Sequence, residues 1–149
     1  MDNNYHRTAD WLTACGKVPS VEAASLQIGC DIEEQVEFLE CLTLSNDGNA
    51  TLLREAIRGL KRVATALKTG ADVATIHESE RIDALDSLCD REVTGNGVAH
   101  LLSFNKPMAD QAVLASNEAK LVNGEPVILE GGKIGKPEGW TPPDLSEFV

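Results

Sequence analysis

The chain predicts an all-α protein, and three features of its sequence carry that prediction. Apolar residues recur at three- and four-residue steps over most of the first 122 positions, the spacing that lines one side of a helix. Gly and Pro collect beyond that point, with five Gly and four Pro in the last 27 residues. Of the 149 residues 42% are hydrophobic, enough apolar material for a core and too much for wholesale disorder. The expected architecture is a single domain over 1–149: a bundle of about five helices over 8–122, then an extended or hairpin arm over 123–149.

The elements follow in order. Residues 8–15 form a short first helix that ends near Gly16, and Pro19 separates it from the next. Ser20, with Glu22 behind it, starts a second helix. Ile28, Ile32, Val36 and Leu39 carry it to about Leu44, with Gly29 marking a break or kink. Ser45-Asn-Asp-Gly-Asn49 is a loop by composition. Leu53, Ile57, Leu60, Ala64 and Leu67 mark a third helix, the clearest amphipathic pattern, which Gly70 ends. Its outer face carries Arg54, Arg58, Lys61, Arg62 and Lys68, read as a solvated face.

A fourth helix runs from about His77 to Leu102. Gly95 and Gly97 lie inside it and either permit close helix packing or mark a bend, since each costs about 1 kcal/mol relative to Ala. Pro107 opens a fifth helix at its first turn, ending near Leu121. In the arm, Pro126–Glu130 and Lys133-Ile134 flank Gly131-Gly132 as a small hairpin, and Trp140-Thr-Pro-Pro-Asp-Leu145 lies on a surface. Helices this long with only 4% aromatic residues leave apolar faces uncovered in one copy, so a homo-oligomer is expected.

Charge narrows the function classes. Lys plus Arg number 13 against 24 Asp plus Glu, a net charge of −11. Nucleic-acid polymers and anionic membranes are recognised by dense Lys and Arg, so neither is an expected partner. No run reaches the roughly 18–20 apolar residues that span a bilayer, and the amino end lacks a signal-peptide plan. The expectation is a soluble, cytoplasmic protein. Cys15, Cys30, Cys41 and Cys89 form no CxxC pair and read as buried free thiols.

The acid itself is patterned. Glu33, Glu34, Glu37 and Glu40 recur at three and four on the second helix, where such residues are neighbours. Glu80, Asp83, Asp86 and Asp90 do the same on the fourth. Like charges so placed cost a few tenths of a kcal/mol per pair. Two facing helices with carboxylates one turn apart supply the hard oxygen ligands that Mg²⁺ takes along with substrate phosphates. Two solvated acidic faces are the alternative from spacing alone.

Glu33-Glu34-Gln35-Val36-Glu37 resembles the EExxE motif of the MazG-like nucleoside triphosphate pyrophosphohydrolases, an all-α family. The Asp-rich fourth helix stands where that family has its ExxD motif. Glu80 and Asp83 match its letters, while Asp83 and Asp86 match its spacing counted back from Gly97. The family's aromatic after this motif is replaced by Arg91-Glu92. Ala115-Ser-Asn-Glu-Ala-Lys120, Gly131-Gly-Lys-Ile-Gly-Lys136 and Pro142-Pro-Asp-Leu145 resemble the tail of a phage-type branch.

The resemblance implies Mg²⁺-dependent hydrolysis of a nucleoside triphosphate to the monophosphate and pyrophosphate, in nucleotide-pool control, by a homodimer or dimer of dimers. It implies Mg²⁺ on Glu34, Glu37, Asp86 and Asp90 (or Asp83), and Glu33 orienting or deprotonating the attacking water. Asn117 and Lys120 are the expected sugar and phosphate contacts, with Lys133 and Lys136 reaching the polyphosphate from the arm. The competing expectation is a non-catalytic helical oligomer that binds a nucleotide or a protein partner.

Overall fold

The computed structural model describes residues 4–129 and 134–149. They are all-α in class, with five helices and one two-stranded ladder among them. The helices are α1 (Asn4–Ala14), α2 (Val21–Glu40), α3 (Asp47–Thr69), α4 (Arg81–Leu101) and α5 (Lys106–Glu118). None of them is long and apolar enough to cross a membrane. The chain divides into two compact units, one of Pro19–His77, the other of Glu78–Val149 with the segment ending at Val18.

The Pro19–His77 unit is an antiparallel pair, α2 against α3. Ser20 caps α2, its side chain accepting from the Ala23 N–H at 3.0 Å. Asn46 caps α3 in the same way through the Asn49 N–H at 2.9 Å. The expected 45–49 loop is therefore mostly the first turn of a helix, because an Asn at the cap position satisfies its free N–H groups. Gly70, at φ 72°, ends α3 as its position predicts.

Between the two helices Ser25, Gly29 and Val36 are buried with Ile57, Ala64 and Leu67. Gly29 does not break α2, which is helical on both sides of it. It is a contact point. A Cβ there would lie 3.0 Å from the Ala64 carbonyl oxygen and 3.1 Å from the Leu67 Cβ, so only a glycine lets the helices come this close. Ser25 fastens the segment after α3, accepting from the Ala74 N–H at 2.9 Å.

In the other unit α1 and α4 pack on α5. Arg7 of α1 forks onto Glu118 of α5, with both N–H···O distances 2.8 Å, and also donates to Gln111. Pro107 sits in the first turn of α5, as expected. Gly95 and Gly97 do not serve close helix packing; a Cβ at either meets open space, and α4 is continuous through both.

A hairpin that the sequence reading did not place opens the arm. β1 (Leu121–Val122) pairs with β2 (Glu125–Pro126) across Asn123-Gly124, where φ is 53° and 84°. Two successive positive φ values are what a two-residue hairpin turn requires, and Asn-Gly supplies them most cheaply. Ile128 and Ile134 add one antiparallel bridge. The expected Gly131-Gly132 turn and Lys133 lie outside the described residues. The arm lies on its own α5: the Trp140 indole donates to the Ser116 carbonyl at 2.9 Å, and the Asn105 N–H donates to the Phe148 carbonyl at 2.8 Å.

Of the four thiols only Cys15 is buried; Cys30 is half-buried, and Cys41 and Cys89 are exposed. Burial pushes the Cys15 thiol above its ordinary range, against the pull of Lys17 and Lys120.

Candidate functional site

Three of the four expected substrate contacts come together. Asn117 and Lys120 sit one turn apart where α5 ends, and Lys120 Nζ donates to Asn117 Oδ1 at 2.8 Å. The same Nζ stands 5.3 Å from the ring centre of Trp140 and 5.9 Å from that of Trp11. Lys136, brought in by the arm, lies over Trp140 at 4.7 Å. Two ammonium groups thus share one indole, the larger part of an aromatic–cation cluster built from α1, α5 and the arm. Lys133, the fourth, lies outside the described residues.

Sequence reasoning missed the two tryptophans. They are the only ones in the chain, and both meet Lys120. Trp11 Nε1 and Ser116 Oγ are also buried without a hydrogen-bond partner among the described residues. Buried polar atoms are nearly always satisfied, and one of these two belongs to Trp11, which Lys120 faces.

The acidic residues are distributed over both units. On α2 the outer pair is neutralised: Glu33 bonds Lys68 of α3, and Glu40 bonds Lys61 at 2.6 Å. Two members of the basic face read as solvated are thus ion-pair partners, a pairing visible only once α3 folds back on α2. Neither ion pair takes Glu34 or Glu37, and each residue as a whole keeps much of its surface open. Partial burial raises the Glu34 carboxyl above its usual range, with Glu37 and Glu33 adding to the rise and Lys68 opposing it.

On α4 the twist of about 100° per residue sets Asp83, Asp86 and Asp90 together on the side opposite buried Ala99. All three are exposed. Glu80 precedes the helix at its cap position, so Asp83 and Asp86, and not Glu80, are within the helical run. Among the described residues no three His, Cys, Asp or Glu side chains converge into a cation-holding group. No family model, curated protein or solved structure matches the chain.

Proposed function

We propose that the protein is a Mg²⁺-dependent nucleoside triphosphate pyrophosphohydrolase of MazG-like type, releasing nucleoside monophosphate and pyrophosphate. The observation that carries the reading is the cluster in which Lys120 bonds Asn117 and faces both tryptophans while Lys136 lies over Trp140. Lysines on aromatic faces next to an amide suit a ligand with both anionic oxygens and a flat ring. In a chain of net charge −11 such a basic cluster is out of character unless it has an anion to hold.

The metal half of the reading rests on donor chemistry. Glu34, Glu37, Asp83, Asp86 and Asp90 offer only carboxylate oxygens, the ligand type Mg²⁺ takes, and α2 spends its lysine partners on Glu33 and Glu40. When bound, Mg²⁺ supplies charge neutralisation at the phosphates and lowers the pKa of a coordinated water. The chain's own residues do the rest. Lys120 and Lys136 take up negative charge on the polyphosphate, Asn117 positions it, and Glu33, oriented by Lys68, accepts the proton of the attacking water.

The same reading includes a homodimer or dimer of dimers. Its support is α4, where Ile82 (81% exposed), Leu85 (63%) and Val93 (68%) stand open. Apolar rows of this kind are covered in working proteins.

The test is a panel of ribo- and deoxyribonucleoside triphosphates with Mg²⁺, assayed for both phosphate products. Stoichiometric pyrophosphate, abolished by chelator and by Glu37→Gln, is expected. Orthophosphate alone, or no metal-dependent product from any nucleotide, overturns the reading. Nucleotide binding by calorimetry without turnover supports the non-catalytic alternative.

A further inference from the structure

A cleft lined by residues of α1, α4 and α5, none of them in the lysine–tryptophan cluster, has a volume of about 520 Å³. That is within the range of small-ligand sites, about 300–1,000 Å³. Its two walls differ in kind. The α1/α5 wall is polar but saturated: Lys106 holds Asp110 at 2.7 Å, and Gln111 donates to Asn4 Oδ1 at 3.1 Å while accepting from Arg7. Those groups are committed to one another and form a fixed surface.

The α4 wall is different. Glu92, Asn96 and His100 line it at four-residue steps, and none of the three side chains enters a hydrogen bond or ion pair with the described residues. Phe104, 43% exposed, closes the end of this row. An open row of acceptor, amide and imidazole next to a phenyl ring has the chemistry of a base-recognition surface. Lys106 is neutralised by Asp110, so Glu92 is the charge that counts, and it repels a polyphosphate. What a lone carboxylate welcomes is a neutral ring with adjacent N–H donors, which it receives in bidentate fashion.

We infer that this cleft takes the nucleobase of a purine nucleotide, with Glu92 accepting the paired N1–H and N2–H donors of guanine, Asn96 bonding the ring edge, and His100 and Phe104 in contact with its face. The assignment rests on the reading of the protein as a nucleotide hydrolase and names the base it prefers.

The test uses nucleosides, which carry no phosphate and therefore do not depend on the lysine cluster or on Mg²⁺. Guanosine, cytidine and thymidine are titrated into the ¹⁵N-labelled full chain. Guanosine should shift the amides of residues 92–104 saturably, cytidine more weakly, and thymidine, which lacks an amine, least. Glu92→Gln should weaken guanosine 5- to 10-fold and lower kcat/KM for GTP more than for TTP. Absence of shifts there, shifts confined to the Trp11 and Trp140 indoles, or equal binding of thymidine overturns the inference. Pyrophosphate release without guanosine shifts leaves the hydrolase reading standing and removes this one. Guanosine shifts without turnover do the reverse.

Discussion

Two carboxylates set opposite pH dependences. Hydrogen bonds from Arg7 hold the Glu118 carboxyl below the usual range. Its folded pKa is depressed, so its contribution to stability is present above the unfolded pKa and is lost as pH falls through the folded one. The pair is partly exposed, which screening discounts to about 0.5–1 kcal/mol. Glu118→Gln should therefore cost about that much in urea unfolding at pH 7, with the difference from wild type vanishing in acid. Glu34 has the reverse sign. Its folded pKa is raised, so the folded state binds the proton more tightly and stability falls as pH rises from the unfolded to the folded pKa. Without metal, Glu34→Gln should raise Tm by about 1–2 °C at neutral pH, as expected of relieving one or two like-charge pairs. A lower Tm, measured by differential scanning calorimetry in chelator, would contradict the crowding of Glu34, Glu37 and Glu33. At this scale the grouping of Asn117, Lys120 and Lys136 was legible from the resemblance, but their aromatic partners were not. Trp11 and Trp140 are 129 positions apart in sequence, and nothing local announces that α1 and the arm deliver both to Lys120. Their rarity in an aromatic-poor chain was the available signal.

Glycine divides the helices into packed and open ones. At Gly29 an added Cβ would lie 2.9 Å from Lys68 Cγ and 3.0 Å from a backbone oxygen, which cannot swing aside. Gly29→Ala should cost about 1–3 kcal/mol by forcing α2 from α3. At Gly97 the added methyl meets nothing, so Gly97→Ala should gain about 1 kcal/mol of helix propensity. Paired urea unfolding curves read both, and equal midpoints for the two variants would refute the distinction. Element existence was legible because the three-and-four periodicity and the Ser20, Gly70 and Pro107 boundary signals agree. Two features were missed because of competing local chemistry. Asn46 reads as loop by composition and acts as a cap, while the Asn123-Gly124 turn went unread beside the glycine pair further on, whose flanks bridge at Ile128 and Ile134. The contact role of Gly29 was not legible, because only the folded pair reveals which helix face meets a neighbour.

For the whole molecule, repulsion among clustered carboxylates and the open apolar row of α4 make two further demands. A cation that binds the folded chain stabilises it by mass action, so Mg²⁺ should raise Tm, and Glu34→Gln should remove that response. Overlapping melting curves in Mg²⁺ and in chelator would count against the site. Ile82→Asp should shift light-scattering mass from a multiple of the 16.0 kDa chain toward one copy. A wild-type chain that already runs as a monomer would contradict the oligomer. The proposed function requires that the carboxylates of α2 and those of α4 each take up Mg²⁺. Substoichiometric Mn²⁺ added to the ¹⁵N-labelled chain tests this directly, through the amides it broadens. The account predicts that residues 34–37 and 83–90 broaden together and recover together when excess Mg²⁺ displaces the probe. Broadening at one helix alone, or unsaturable broadening spread over every acidic surface, would contradict it.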